Sequence, residues 1–115
     1  MKENEVQKAI LFKLEGHKNA GEIIWYSRLN SGKVNSGAYW IKLCEVGTPD
    51  IMSVVNCGNG KIAILFIEVK RTKVTRLRFE QQKFFDSMDG KPMILCTVIN
   101  DPKQLWPAIK RARDL

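Results

Sequence analysis

The pattern of apolar and polar positions along the chain predicts a succession of helices and strands. Near the start, Val6, Ile10 and Leu14 recur at helical spacing, which predicts a helix from Glu3 to Leu14. Gly16 can end this helix, because glycine readily adopts the backbone conformation that follows a helix. The next stretch, IIWYSRL, is rich in β-branched and aromatic residues and therefore predicts a strand.

The middle of the chain predicts a β-hairpin. Two strand-like runs, 50–55 and 61–70, flank the segment NCGNG, whose residues are typical of a tight turn. The preceding segment, 30–47, has the composition of a loop, with a short strand as an option at 39–41. The run AILFI in the second hairpin strand is almost continuously apolar, which indicates a strand in the middle of a sheet.

The last third of the chain predicts two helices and one strand. Thr75 can cap a helix that runs to Met88 and stops near Gly90. The run MILCTVI that follows is typical of a strand covered on both faces, and Pro107 can start a short basic helix.

This order of elements predicts the fold class. Because a helix separates the second hairpin strand from the last strand, we expect these two strands to be parallel and joined by a βαβ crossover. The predicted fold is α/β, with a small mixed β-sheet of about four strands flanked by helices. A length of 115 residues fits one domain over 1–115.

Composition narrows the class of protein. No apolar run approaches the roughly 18–20 residues that span a bilayer, and the start, MKENEVQK, lacks the apolar core of a signal peptide. We therefore expect a soluble cytoplasmic protein without a membrane partner. The three cysteines have no metal-ligand spacing and accompany a single histidine, which predicts reduced thiols and no zinc site. The net charge of +7 favours an anionic partner such as nucleic acid.

Two carboxylates stand out in the hairpin. If the hairpin turns about Asn59, Asp50 lies opposite Glu68. Opposed residues have Cβ atoms roughly 4.5–5.5 Å apart, and like charges at that separation repel. Lys70 shares the face of Glu68, because side chains alternate along a strand. A divalent cation such as Mg²⁺ would relieve the repulsion, and the carbonyl of Val69 can supply a further oxygen ligand.

A simpler interpretation is a surface cluster, in which the strand that ends in Glu68-Val69-Lys70 forms a solvated salt bridge to its partner strand. Two features favour a site instead: Pro49-Asp50 begins the partner strand, and the apolar run places these charges at the rim of a central strand.

Other polar residues fall near this rim. Gln81 shares a helical stripe with the apolar residues Leu77, Phe84, Phe85 and Met88, so it either reaches solvent at the edge of the stripe or bonds a metal-bound water, a catalytic side chain or a phosphate. Glu3 and Glu5 are favourable acids for the first turn of a helix, and either can be a further carboxylate of the site, Glu3 being slightly better placed.

Four motifs in this order resemble the VRR-Nuc family, the virus-type replication and repair nucleases of the PD-(D/E)xK superfamily. They are an acid in the first helix (KENEVQKAI, with Glu3), GTPD (47–50), IEVK (67–70) and FEQQ (79–82). The resemblance covers nearly the whole chain. It implies a restriction-endonuclease-like core and a Mg²⁺-dependent endodeoxyribonuclease that hydrolyses phosphodiesters to 5′-phosphate and 3′-hydroxyl ends.

The resemblance also implies residue roles. Asp50, Glu68 and the Val69 carbonyl would bind Mg²⁺ or Mn²⁺, supported by Glu3. Lys70 would orient the attacking hydroxide and stabilise developing negative charge. Gln81 would position Lys70 or the phosphate.

The basic residues after the site predict phosphate contacts. They are Arg71, Lys73, Arg76 and Arg78. Phage-type members of this family are similar to Holliday-junction resolvases, which implies a phage or prophage protein that cuts branched DNA. Because one small domain holds one site, symmetric cutting predicts a homodimer, in which Trp25, Tyr39 and Trp40 either line the interface or belong to the core. Alternatives are a nuclease for flaps, nicks or duplex, and a non-catalytic DNA-binding module.

Overall fold

The computed structural model describes residues 1–29 and 44–115 in full and, between them, only the backbone of two short strands. The α-helices are α1 (Glu3–Asn19), α2 (Phe79–Met88) and α3 (Leu105–Arg113). The strands are β1 (Ile23–Arg28), β2 (Lys33–Asn35), β3 (Trp40–Lys42), β4 (Ile51–Gly58), β5 (Lys61–Val69) and β6 (Ile94–Ile99). A 3₁₀ turn, Pro102–Gln104, leads into α3.

Four strands form one mixed sheet in the order β1-β4-β5-β6. β4 pairs antiparallel with β1 and β5, whereas β6 pairs parallel with β5 after the crossover through α2. This arrangement confirms the predicted α/β fold with a four-stranded mixed sheet and a βαβ unit. β2 and β3 form a separate antiparallel pair, so the optional short strand is present as β3, one residue later than expected.

The hairpin of β4 and β5 has the predicted register. Ile51 pairs with Ile67 and Met52 with Phe66, which are the pairs that a turn about Asn59 requires. Asn59 and Gly60 both have positive φ, at 54° and 77°, as a tight hairpin turn of the type I′ class demands. Asp50, one residue before β4, is thereby brought level with Glu68.

One face of the sheet carries the hydrophobic core. Alternate residues of β5 point into it, and α1 and α3 cover it with their apolar stripes. The fully buried members include Val6, Ile10 and Leu14 of α1, Ala63, Leu65, Ile67 and Val69 of β5, and Leu105 and Ile109 of α3. The spacing that predicted α1 is thus the spacing of its buried face.

The opposite face of the sheet is only partly covered. Phe84 of α2 meets Phe66 of β5 edge to face, with the ring centroids 5.0 Å apart. The predicted stripe of Gln81, Phe84, Phe85 and Met88 does turn toward the sheet, but each of these residues is only half-buried. α2 therefore rests on the edge of the molecule.

The end of α1 was predicted wrongly. The helix passes Gly16 and ends at Asn19, because a glycine inside a helix costs only about 1 kcal/mol relative to alanine. The stop is Gly21, whose φ of +83° allows its N–H to bond the Lys18 carbonyl at 3.0 Å and the N–H of Glu22 to bond the His17 carbonyl at 2.9 Å.

Two helix starts also differ from the prediction. α2 begins at Phe79 rather than at Thr75, since residues 74–78 are not helical and the preceding turn places Lys73 at a φ of +72°. α3 begins at Leu105, two residues before Pro107, which is tolerated because the N–H groups of a first helical turn need no partner within the helix.

Within the described part of the chain, no helix is long and apolar enough to cross a membrane. The cysteines Cys44, Cys57 and Cys96 are all free thiols, as predicted.

Candidate functional site

The two acids of the hairpin meet where β4 begins and β5 ends. The carboxylate of Asp50 accepts a hydrogen bond from the backbone N–H of Val69 at 2.7 Å. The carbonyl of Asp50 accepts another from the N–H of Leu29 at 2.7 Å, just after β1. Asp50 is therefore held against the end of the sheet by contacts to both neighbouring strands.

Glu68 is a buried carboxyl with an unusual proton affinity. Its residue is only 3% exposed. Burial, followed by its hydrogen bond with Asp50 and the negative charge of that acid, raises the pKa of Glu68 to about 9. The ammonium group of Lys70 acts in the opposite direction, and the charge of Glu3 adds to the increase. Without a cation, Glu68 therefore holds a proton at neutral pH.

Lys70 is buried beside these acids. It is 7% exposed, and its Nζ lies 3.9 Å from Oε2 of Glu68. The interpretation of Glu68 and Lys70 as a solvated surface salt bridge is therefore wrong. The backbone N–H of Lys70 bonds the carbonyl of Ile99 at 3.0 Å, which continues the β5–β6 pairing and fixes where the side chain starts.

Gln81 connects Lys70 with the start of α2. Its Oε1 accepts one hydrogen bond from Nζ of Lys70 at 2.9 Å and another from the N–H of Arg78 at 2.8 Å. The second bond satisfies an N–H at the helix start that lacks a helical partner. Of the alternatives for Gln81, the bond to a neighbouring side chain is present, so the amide both caps α2 and orients the lysine.

The two acids open into a cavity of about 250 Å³. Glu3, Arg78 and Gln81 line it together with Asp50 and Glu68.

The cavity also distinguishes Glu3 from Glu5, the two acids at the start of α1. Glu3 lines it, whereas the carboxylate of Glu5 accepts a hydrogen bond from the N–H of Lys2 at 2.9 Å and serves the end of the helix. Of the two acids, Glu3 is the one at the site.

Sequence reasoning gave no role to two neighbours of the cavity, Gly47 and Glu80. Gly47 has a φ of +95°, and a Cβ there would lie 2.6 Å from the carbonyl carbon of Glu80. Only glycine therefore allows the loop before Asp50 to pack this closely on α2. Glu80 contributes a further carboxylate to the rim of the cavity. The position of Gly47 three residues before the acid was the available signal.

The donor set suits a hard divalent cation. Within residues 1–29 and 44–115, no three side chains of His, Cys, Asp or Glu are grouped so that they could hold a metal ion. Mg²⁺, however, is usually bound by one or two carboxylates and keeps several waters. Asp50 and Glu68, with the Val69 carbonyl, can provide such an oxygen set, and the charge of Asp50 contributes, after burial, to the raised pKa of Glu68.

The predicted DNA-contacting residues are all exposed. Arg71, Lys73 and Arg76 are exposed, and Arg78 is exposed at the edge of the cavity. Trp25 is 46% exposed, so its assignment to the core is wrong. The side chains of Tyr39 and Trp40 lie outside the described residues.

Comparison of the chain with protein-family models, with curated proteins and with solved structures gave no match. The chemical class of the site is therefore argued from its own geometry.

Proposed function

We propose that the protein is a metal-dependent DNA endonuclease of the PD-(D/E)xK type, with the VRR-Nuc family as the group that its motifs resemble. The observation that carries the proposal is the trio of Asp50, Glu68 and Lys70 at one end of the sheet, in which Glu68 and Lys70 are buried and Asp50 is half-buried. Placing a second acid beside a buried one destabilises a fold, so such a pair is better explained by a cation and a reaction than by stability.

Within this proposal the acids form a cation site. Asp50, Glu68 and the Val69 carbonyl would hold Mg²⁺ or Mn²⁺, and Glu3 would support the ion from the far side of the cavity. When bound, such an ion supplies a Lewis acid that polarises a phosphodiester and lowers the pKa of a coordinated water. Glu68 would be ionised in such a complex, because a cation and a proton compete for the same carboxylate.

Lys70 and Gln81 act on the substrate side of the site. The Lys70 ammonium can stabilise the negative charge that develops on the phosphate during attack by water. Its bond to Gln81 fixes the direction of the ammonium group before substrate arrives. A pre-oriented donor needs no rearrangement during the reaction, which is why it lowers the barrier more than a mobile surface lysine would.

DNA is the proposed substrate because of the charge around the site. A net charge of +7 and the run of basic residues from Lys70 to Arg78 can neutralise successive phosphates without reading bases. We propose a structure-selective enzyme that resembles Holliday-junction resolvases and acts as a homodimer, since paired cuts on opposed strands need two sites.

A nuclease for flaps, nicks or duplex would use the same site. A DNA-binding module without catalysis is the candidate of a different class. Binding alone requires positive charge, whereas the module has no use for a buried acid beside a second one.

Cleavage of labelled DNA tests the proposal. A four-way junction and a linear duplex of the same length are incubated with the protein and Mg²⁺, beside Asp50→Ala and a control variant of an exposed acid, Asp114→Ala. We expect cuts in the junction with wild-type protein and Asp114→Ala, and none with Asp50→Ala. Equal cutting of both DNAs supports the alternative nuclease, and binding without any cutting contradicts the enzyme.

A further inference from the structure

A second cavity, of about 540 Å³, lies next to the acidic one. It is lined by Lys70, Val74, Arg76, Leu77, Arg78 and Phe79. Lys70 and Arg78 connect the two cavities, because Arg78 also lines the acidic one and Lys70 is bonded to Gln81 there. Whatever occupies the second cavity therefore lies next to the group bound at the acids.

The lining of this second cavity is apolar on one part and cationic on the other. Val74, Leu77 and Phe79 supply the apolar part, and among the described residues no acid lines it, in contrast to the neighbouring cavity. The occupant that fits such a lining has a flat apolar body and an anionic group. A nucleotide has this chemistry, and 540 Å³ lies within the range of roughly 300–1,000 Å³ of small-ligand pockets.

Phe79 supplies the aromatic surface of the pocket. It is 74% exposed although it begins α2 with a large aromatic side chain. Nζ of Lys83 lies 5.6 Å from the centroid of its ring, so a cation covers one side of the ring. An exposed ring next to arginines is the arrangement on which unpaired bases stack, a contact that tolerates any base.

We infer that this pocket receives one unstacked nucleotide next to the phosphodiester that is cut, with its base against Phe79 and its phosphate near Arg76 and Arg78. The inference rests on the proposed function and narrows its substrate class. The bases of an intact duplex are stacked inside the helix and cannot reach such a pocket. The preferred substrates are therefore DNAs with an unpaired or easily unpaired nucleotide at the cut, such as the branch point of a junction or flap.

The test is a double-mutant cycle between Phe79 and the DNA. Wild-type protein, Phe79→Ala and Phe79→Tyr bind a branched DNA in EDTA, so that no cleavage interferes. The same DNA is then made with a single abasic site, moved one nucleotide at a time across the branch. Phe12→Ala on α1 is the matched control, since Phe12 is also an exposed phenylalanine, at 83%.

At one position we expect loss of the base to weaken wild-type binding on the order of 5- to 150-fold, as stacking on an aromatic ring implies. Phe79→Ala should weaken binding of the intact DNA by a similar factor and be insensitive to the abasic site. Phe79→Tyr and Phe12→Ala should both keep the wild-type pattern, in which loss of that one base weakens binding. Equal thermal midpoints would confirm that the variants are folded.

Additive effects at every position, or wild-type behaviour of Phe79→Ala, would overturn the inference, as would absence of DNA binding. Coupling between Phe79 and one base in a protein that cuts no DNA with Mg²⁺ would support the nucleotide pocket and refute the nuclease. The two proposals can therefore fail separately.

Discussion

The two faces of β5 differ in what they contribute. Toward α1 and α3, its residues Ala63, Leu65, Ile67 and Val69 are all fully buried among apolar side chains. On the other face, Ile62 is 47% exposed, Phe66 is 8% exposed, and the strand ends in the buried acid Glu68. Residues on one face of β5 therefore form the core, whereas Glu68 on the other face belongs to the candidate site.

The two faces differ in whether their residues stabilise the fold or belong to the candidate site. Each Leu or Ile buried on the first face contributes roughly 1.5–3 kcal/mol. A buried ion costs several kcal/mol, which a nearby opposite charge only partly offsets. The apolar face therefore supplies the stability that allows the end of β5 to hold the buried Glu68 and Lys70 beside the half-buried Asp50.

The largest predicted effect compares Ile67 and Glu68, two neighbouring residues that lie on opposite faces of β5. Ile67→Ala should lower the free energy of unfolding by about 2–5 kcal/mol, because it leaves a cavity in the core. Glu68→Gln should leave stability unchanged or raise it, because glutamine resembles the protonated acid, and should abolish cleavage. Urea unfolding measures the stability of the two variants, and the junction cleavage assay measures their activity. A Glu68→Gln protein as unstable as Ile67→Ala would show that the acid is part of the folding core.

The next effect concerns the lysine. Lys70→Met keeps the volume and apolar stem but removes the ammonium group, and should slow cleavage roughly 10²- to 10³-fold, as loss of a charge-stabilising donor does. Single-turnover cleavage rates measure this. Lys110→Met, on the exposed side of α3, is the control. Equal rates in the two variants would remove Lys70 from the chemistry.

A smaller effect is expected at Gln81. Gln81→Leu removes the acceptor that orients Lys70, and should reduce the cleavage rate about 10- to 100-fold, the usual cost of losing a supporting partner. Gln81→Glu keeps an acceptor and should lose less. Gln81→Leu also removes the cap on the Arg78 N–H, so thermal unfolding checks that the protein stays folded. In the folded variant the rate at saturating DNA should fall while the affinity for DNA stays close to wild type. A loss confined to affinity would contradict a positioning role.

The last effect, the smallest when counted per pH unit, is a dependence of stability on pH in metal-free protein. The pKa of Glu68 is raised from 4.5 to about 9 on folding, so the folded state binds the proton more tightly. The stability this provides is complete below pH 4.5 and is lost as pH rises toward 9, with a slope of at most about 1.4 kcal/mol per pH unit.

Thermal unfolding in EDTA across this pH range measures the slope, and Glu68→Gln should reduce it. Added Mn²⁺ should raise the midpoint more at high pH than at low pH, because the cation competes with the proton. Identical pH profiles for wild type and Glu68→Gln would refute the raised pKa.

Local sequence patterns determined the parts of this protein that depend on near neighbours. Strand alternation and the Asn59-Gly60 turn predict the hairpin. The register that brings Asp50 level with Glu68 also depends on a register shift between Asn56 and Gly58. The apolar run AILFI likewise indicates a central strand. Boundaries were less predictable, because Gly16, Thr75 and Pro107 are signals whose effect depends on contacts beyond the local segment.

Only the tertiary structure decided the chemistry of the site. The burial of Glu68, the bond from Lys70 to Gln81 and the choice of Glu3 over Glu5 involve β5, α1 and α2, which the chain brings together from distant positions. A side chain's orientation along a strand is local, because alternation fixes it. Its pKa is not local, since solvent exclusion and neighbouring charge come from other elements, and so the acids were visible in the sequence while their raised proton affinity required the fold.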